Sequence, residues 1–221
     1  MGVDVSGGVT GGAGQGVHTA GGRLGRLAVA AGYHFHATQD YMSRIRGGRN
    51  SYSVRIREIP VRAGHRLADI VLSLDPSLLP HILSAVAPAG VVVCDLPLVP
   101  AGSVDPRVIA APLKELAVAA GSPILANIVG TGIVACAPGI PPETVDRVLT
   151  LEFKGDFLEQ NRVAAALGAE WAGPRVPSMY PRPDAGIPPR CILARTQARP
   201  LGPGGGARAL AAGVPLSAGG S

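Results

Sequence analysis

Apolar residues between positions 3 and 171 follow two different spacings. Short apolar runs, such as residues 69–74 and 90–95, are typical of strands that are buried on both faces. Longer segments with apolar residues three and four positions apart predict helices. The pattern predicts strands at residues 3–6, 33–37, 51–57, 69–74, 90–95 and 108–111, and helices at residues 17–31, 76–86, 113–120, 124–135, 142–151 and 156–171.

Strands that alternate with helices predict an α/β fold, a three-layer α/β/α domain around a largely parallel, Rossmann-like sheet. Residues 51–57 alternate strictly between apolar and polar side chains, which predicts a strand with one exposed face. The periodicity stops after Trp171, and Pro and Gly dominate from Gly173 onward. We therefore predict a folded domain at residues 1–172 and a Pro/Gly/Arg-rich linker or disordered tail at residues 173–221.

Composition narrows the classes of protein that fit. The chain has 221 residues, of which 47% are hydrophobic and only 4% aromatic, so the core must consist mainly of Ala, Val, Leu and Ile. The formal net charge of +5 suits acidic ligands such as phosphates. The arginines are dispersed rather than clustered in a stripe, which argues against nucleic acid as a partner.

Cysteine usage and hydropathy indicate a compartment. The chain has three cysteines, Cys94, Cys136 and Cys191, and no two of them form a Cys-x-x-Cys pair. This spacing argues against a disulfide framework or a zinc site. Three thiols are also too few to hold an iron–sulfur cluster, which usually needs four. No apolar run reaches the roughly 18 residues of a membrane span, and no secretory signal is evident. We expect a soluble, cytoplasmic protein without a membrane partner.

The first candidate binding motif is a glycine-rich turn before the first helix. Residues 12–16 read Gly-Ala-Gly-Gln-Gly, and Gly14, Gln15 and Gly16 lead directly into the helix. Glycines let a ligand approach the backbone, and the helix N-terminus offers free N–H groups and a favourable dipole for an anion. The G-x-G-x-G spacing is not the dinucleotide fingerprint, so a tight turn without a ligand is equally compatible. Asp40, an acid after the second strand, keeps a Rossmann-type nucleotide site open.

The second motif is a loop of arginines and glycines. Residues 39–50 read Gln-Asp-Tyr-Met-Ser-Arg-Ile-Arg-Gly-Gly-Arg-Asn. Guanidinium groups bind phosphate or carboxylate through two parallel hydrogen bonds, and a glycine pair exposes further amides. A solvated basic loop is the simpler alternative, but a second glycine turn at the neighbouring strand favours a ligand or subunit contact. The candidate residues here are Ser43, Arg44, Arg46, Gly47, Gly48 and Asn50.

The other reactive side chains do not indicate a metal site or a catalytic site. His34 and His36 form a His-x-His pair on a strand, and without a third ligand nearby we interpret them as a polar strand face rather than a metal site. Cys94 and Cys136 lie in apolar segments and are interpreted as unreactive core thiols. No nucleophile–base constellation can be assembled, so we assign no catalytic residue.

Both motifs belong to a wider resemblance. Residues 12–21, residues 39–50 and the alternating strand after them resemble the γ domain of the 2-oxoacid:ferredoxin oxidoreductases. Residues 69–75 (Asp-Ile-Val-Leu-Ser-Leu-Asp), 127–132 (Asn-Ile-Val-Gly-Thr-Gly) and 152–155 (Glu-Phe-Lys-Gly) agree with it. The resemblance covers about residues 3–171, and Ser-Arg-Ile-Arg-Gly-Gly at residues 43–48 is its most specific part.

The resemblance implies a function that the residues alone do not give. In that family the complete enzyme cleaves a 2-oxoacid such as pyruvate or 2-oxoglutarate with thiamine diphosphate, passes electrons through iron–sulfur clusters to ferredoxin, and transfers the acyl group to coenzyme A. The γ domain holds neither thiamine diphosphate nor clusters, which lie in the partner α and β subunits. The resemblance implies that the γ domain helps to bind coenzyme A and that the two motifs above lie near the phosphates of coenzyme A.

The C-terminal part departs from the family. Many relatives continue into an α domain soon after the last helix, and nothing after Trp171 matches it. We therefore expect either a separate γ subunit or a truncated γ–α fusion. Two alternatives to an enzyme subunit stay open: a free-standing Rossmann-type nucleotide-binding protein, and a purely structural subunit whose arginine loop makes interface salt bridges.

Overall fold

The fold is an α/β domain whose elements follow the sequence pattern closely. The computed structural model describes residues 2–12, 14–41, 50–95, 105–173 and 175–176. Its strands are β1 (Asp4–Gly11), β2 (His34–Tyr41), β3 (Asn50–Arg57), β4 (Ala68–Ser73), β5 (Val86–Asp95) and β6 (Val108–Ala111). Its helices are α1 (Val17–Ala30), α2 (Leu79–Ser84), α3 (Leu113–Ala119), α4 (Ala126–Ala135), α5 (Pro142–Glu152) and α6 (Asp156–Ala172).

The six strands form one sheet in the order β2-β3-β1-β4-β5-β6. Strands β1, β4, β5 and β6 pair in parallel, whereas β3 is antiparallel to both β1 and β2. Five strands therefore run in one direction and β3 runs against them, inserted between β1 and β2. The predicted α/β class with a largely parallel sheet is confirmed.

Helices cover the two faces of the sheet unequally. Helices α1, α3, α4, α5 and α6 contribute to the main core on one face. On the other face α2 covers β4 and β5, where Leu79 and Ile82 pack with Val71, Val92 and Cys94. The helical layer on this second face is therefore small, and it lies over the parallel strands β4 and β5. None of the described helices is long and apolar enough to span a membrane.

Helix α4 lies at the centre of the main core and touches α6 backbone to backbone. A Cβ atom added at Gly132 would lie 2.2 Å from the carbonyl oxygen of Ala165, and one at Gly168 would lie 2.2 Å from that of Val129. Both distances are far below van der Waals contact, so only glycine allows the two helices to approach this closely. Residues 126–135 are apolar on all sides because this helix is enclosed by its neighbours.

Helix α1 is held against the sheet by aromatic side chains that need glycine opposite them. A Cβ at Gly21 would lie 2.2 Å from the Tyr52 ring, and one at Gly25 would lie 2.9 Å from the Phe35 ring. Tyr52 lies on β3 and Phe35 on β2, so these contacts fix α1 over the antiparallel pair. The N-terminus of α1, and the glycine turn before it, are thereby fixed at the edge of the sheet.

A buried ion pair ties α1 to the end of α5. The Arg23 side chain is only 1% exposed, and its Nε donates to Glu152 Oε2 at 2.8 Å. Arg26 donates to the other carboxylate oxygen at 2.8 Å, and the Arg23 guanidinium lies 5.6 Å from the centre of the Phe153 ring. Burial lowers the pKa of Arg23, while the carboxylate of Glu152 acts in the opposite direction.

The two cysteines in the described part of the chain are expected to resist thiol reagents. Burial raises the pKa of Cys94 to about 11, and burial also raises the pKa of Cys136. A raised pKa keeps a thiol protonated, so at pH 8 only about one Cys94 in a thousand is the reactive thiolate. In a Cys191→Ser variant, DTNB at pH 8 should label neither thiol before guanidinium is added and both afterwards. Rapid stoichiometric labelling of the folded variant would contradict this.

Candidate functional site

The glycine turn lies where β1 ends and α1 begins, at the carboxyl edge of the parallel strands. Gly14 and Gly16 both have positive φ, 86° and 78°, which side chains rarely adopt. Gly16 is the N-cap of α1, no side chain among the described residues caps the helix, and the first turn of α1 contains no acidic residue. The first N–H groups of a helix have no partner within the helix. The turn therefore presents donors and the positive end of the helix dipole.

The described surroundings of Gly14 are open. Apart from its chain neighbours, no atom of the described residues lies within 4 Å of a Cβ built at this glycine. The side chain of Gln15 turns back instead, and its Oε1 accepts a hydrogen bond from the N–H of Gly12 at 2.7 Å. The turn is thus closed on its inner side by Gln15 and open at Gly14, which is the side from which an anion could approach.

Asn127 completes the donor side of the turn, and sequence reasoning did not assign it to the site. A Cβ at Gly16 would lie 2.5 Å from the amide nitrogen of Asn127, so this carboxamide lies directly against the turn. Asn127 lies in the first turn of α4, whose N-terminus therefore also points to this region. A carboxamide in the first turn of a mostly apolar helix was the signal that could have identified it.

A carboxylate borders the opposite side of the turn. Asp75 follows β4, and its Oδ2 lies 3.9 Å from the Cβ position of Gly12. Its Oδ1 accepts hydrogen bonds from the Ser77 backbone at 3.0 Å and the Ser77 hydroxyl at 2.7 Å, which fixes the side chain. A carboxylate repels phosphate but accepts hydrogen bonds from hydroxyl or amide groups. The candidate site therefore has hydrogen-bond donors on one side and a carboxylate acceptor on the other.

The arginine loop follows Tyr41 and ends before Asn50, and both of these residues lie at the sheet edge where β1 ends. Asn50, the first residue of β3, is in register with Gly11 on one side and with Tyr41 on the other. Asn50 thus lies at the same sheet edge as Gly14, Gln15 and Gly16. The other predicted loop residues, Ser43, Arg44, Arg46, Gly47 and Gly48, lie outside the described residues, and their role stays a prediction.

His18 joins the first turn of α1 to the sheet beside the site. Its Nδ1 lies 2.6 Å from the amide nitrogen of Gln39 on β2, and its ring packs against Tyr52 at 5.8 Å between centroids. Gln39 therefore faces α1, and because side chains alternate along a strand, Asp40 faces the opposite side of the sheet.

The position of Asp40 does not support a Rossmann-type ribose site. Strand β3 lies between β1 and β2, so Asp40 is about 10 Å from the line of β1 at ordinary strand spacing. It is exposed and in register with Ser51 on the face away from α1. In the dinucleotide fold the acid lies on the strand next to the glycine turn. The inserted antiparallel strand removes that arrangement here.

The geometry defines an α/β domain with a glycine-lined turn, the candidate anion site, at the carboxyl edge of its sheet. The chain belongs to the pyruvate ferredoxin/flavodoxin oxidoreductase family, whose model matches residues 8–171. Residues of both sequence motifs and of α4 fall within that match. The resemblance found from the sequence is thereby confirmed.

Individual relatives agree with this assignment. Over 68 residues the chain is 37% identical to a 2-oxoacid:ferredoxin oxidoreductase subunit alpha from a Sulfolobus species, which is 30% of this chain and 11% of that protein. It resembles the keto/oxoacid ferredoxin oxidoreductase gamma subunit of Geobacter sulfurreducens with a TM-score of 0.66 and 24% identity, over 77% of this chain and 99% of that one.

Two further solved structures share the fold. One is the 2-oxoglutarate:ferredoxin oxidoreductase of Magnetococcus marinus with 2-oxoglutarate, coenzyme A and succinyl-CoA bound, at a TM-score of 0.69 and 21% identity, covering 77% of this chain and 31% of that chain. The other is a pyruvate oxidoreductase subunit of Thermotoga maritima, at a TM-score of 0.61 and 21% identity, over 76% and 96%. The chain spans only a fraction of the Sulfolobus and Magnetococcus proteins, but nearly all of the other two.

Proposed function

We propose that this chain is the γ component of a 2-oxoacid:ferredoxin oxidoreductase and that it helps to bind coenzyme A. In this proposal the 2-oxoacid is oxidatively decarboxylated to an acyl-CoA, and the thiamine diphosphate and the iron–sulfur clusters are held by partner α and β subunits. Ferredoxin receives the electrons through the complex. Family membership and the fold shared with isolated γ subunits support the assignment.

The observation that carries the coenzyme A proposal is the open, uncapped start of α1. Coenzyme A has a diphosphate and a 3′-phosphate, and the donors around Gly14, Gly16 and Asn127 suit one of these groups. Asp75 offers an acceptor to a hydroxyl or amide group further along the same ligand. The predicted loop residues Arg44 and Arg46 would supply positive charge at the same sheet edge.

The competing proposal is a purely structural subunit. Helix α1 is anchored by glycine–aromatic contacts and a buried ion pair that need no ligand, which favours this alternative. The two proposals differ in what the glycine turn does after the complex has assembled. A change there should alter coenzyme A binding under the first proposal and nothing but assembly under the second.

Replacing Gly14 tests this distinction directly. The pair Gly14→Asp and Gly14→Asn is matched, because both side chains have the same shape and both tolerate a positive φ better than other residues. Only aspartate adds a negative charge to open space at the start of α1. In the complex reconstituted with its α and β partners, we expect the KM for coenzyme A to rise about 10-fold more in Gly14→Asp than in Gly14→Asn, with kcat unchanged.

The control is the amount of assembled complex, measured by size-exclusion chromatography for both variants. Equal KM values in equally assembled complexes would exclude a coenzyme A phosphate at this turn. Full coenzyme A-dependent activity in a complex that lacks the chain altogether would exclude the γ assignment itself.

A further inference from the structure

Strand β2 forms one edge of the sheet, and no strand in the described part of the chain pairs with its outer side. Its eight residues pair with β3 in continuous register from His34 to Tyr41, without a bulge. The strand contains no proline and no lysine, two of the residues that commonly protect an exposed edge from pairing.

The sequence of β2 is self-complementary when the strand pairs with itself in antiparallel orientation. Directly opposite residues in such a pair point to the same face, so a two-fold axis must pass through a residue. With the axis at Ala37, His34 of each copy lies opposite Asp40 of the other, and Phe35 lies opposite Gln39. An imidazole N–H donates a hydrogen bond to a carboxylate that lies directly opposite it, and such facing polar pairs stabilise a strand pair.

We propose that two copies of this chain associate through β2, with Ala37 at the two-fold axis, to form one continuous sheet of twelve strands. This interaction surface is distinct from the glycine turn and requires no ligand there. The polar positions support it: His34 and Asp40 face the side of the sheet away from α1, and neither forms an ion pair with a described residue.

The axis at Ala37 is favoured over the alternative at Thr38. Ala37 has the smallest side chain of the strand and belongs to the main core, so nothing bulky lies at the axis. The two His34–Asp40 pairs then lie at the two ends of the paired segment, residues 34–40. With the axis at Thr38, Asp40 would lie opposite His36 instead, and His34 would extend beyond the end of the partner strand.

Disulfide trapping tests both the pairing and its register. In the Cys191→Ser background, Ala37→Cys places two thiols on Cα atoms about 4.5–5.5 Å apart, within disulfide range. Asp40→Cys is the control, because its two copies would be about 20 Å apart along the strands. Under mild oxidation we expect most of the Ala37→Cys chain, and little of the Asp40→Cys chain, to run as a dimer on a non-reducing gel. Similar yields, or a higher yield for Thr38→Cys, would overturn the proposed register.

A charge exchange tests the role of His34 and Asp40 without a disulfide. His34→Glu faces Asp40 with a like charge and should raise the dimer dissociation constant about 10-fold in sedimentation equilibrium. Adding Asp40→Lys should restore it. A full-length chain that is monomeric at about 100 μM, or a dimer that both variants leave unchanged, would overturn the proposal.

Discussion

Gly168→Ala is expected to lower the free energy of unfolding by about 3 kcal/mol or more, which is a large fraction of the stability of a typical domain. The added methyl group would lie 2.2 Å from the carbonyl oxygen of Val129, which is a fully buried residue of α4. No side-chain rotation relieves such a clash. Helix α6 must instead move away from α4, which opens the main core along the whole contact.

The matched control for this prediction is Gly22→Ala. Gly22 also lies inside a helix, but the nearest atom to its added Cβ is the end of the Arg26 side chain at 3.8 Å. Alanine is the better helix former, so we expect this variant to be unchanged or about 0.5–1 kcal/mol more stable. Urea unfolding followed by circular dichroism measures both variants. Equal stability of the two would mean that α4 and α6 do not touch at Gly168.

Part of the fold could be predicted from the sequence, and part of it could not. The periodicity predicted every helix to within a few residues and the strand at residues 108–111 to its ends, because burial on one face dictates spacing. The predicted strands were too short for β1 and β5, whose Gly and Ala residues give no apolar signal, and for β2, whose last residues 38–41 are mostly polar. The periodicity could not place β3 antiparallel between β1 and β2, because alternation indicates one exposed face and not which strand is adjacent.

The candidate site was likewise predictable only in its local part. Gly14, Gln15 and Gly16 are adjacent in the sequence, and the structure places them where a strand-to-helix turn requires. Asn127 and Asp75 reach the same turn from α4 and from the end of β4. Such contacts depend on strand order and helix packing, which a single sequence does not encode in any short segment.

Glu152→Gln is the second substitution expected to have a large effect. It removes the negative charge that compensates Arg23, whose guanidinium is 1% exposed and remains protonated at any accessible pH. Breaking a buried ion pair by removing one partner typically costs 3–5 kcal/mol. The Glu152 side chain is 14% exposed, so water reaches its site in part, and we expect a loss of about 2–4 kcal/mol in urea unfolding.

Two further variants distinguish the stability contribution of the buried Arg23–Glu152 pair from that of the more exposed Arg26–Glu152 pair. Arg26 is 53% exposed and binds the same carboxylate, so Arg26→Ala should cost no more than about 1 kcal/mol. Arg23→Met combined with Glu152→Gln removes the buried charge altogether and should recover part of the loss, because methionine fills the apolar space beside Phe153. If the double variant is as unstable as Glu152→Gln alone, the cost arises from lost packing between α1 and α5 and not from an uncompensated charge. Recovery would show that Glu152 holds α1, and with it the glycine turn, chiefly by neutralising Arg23.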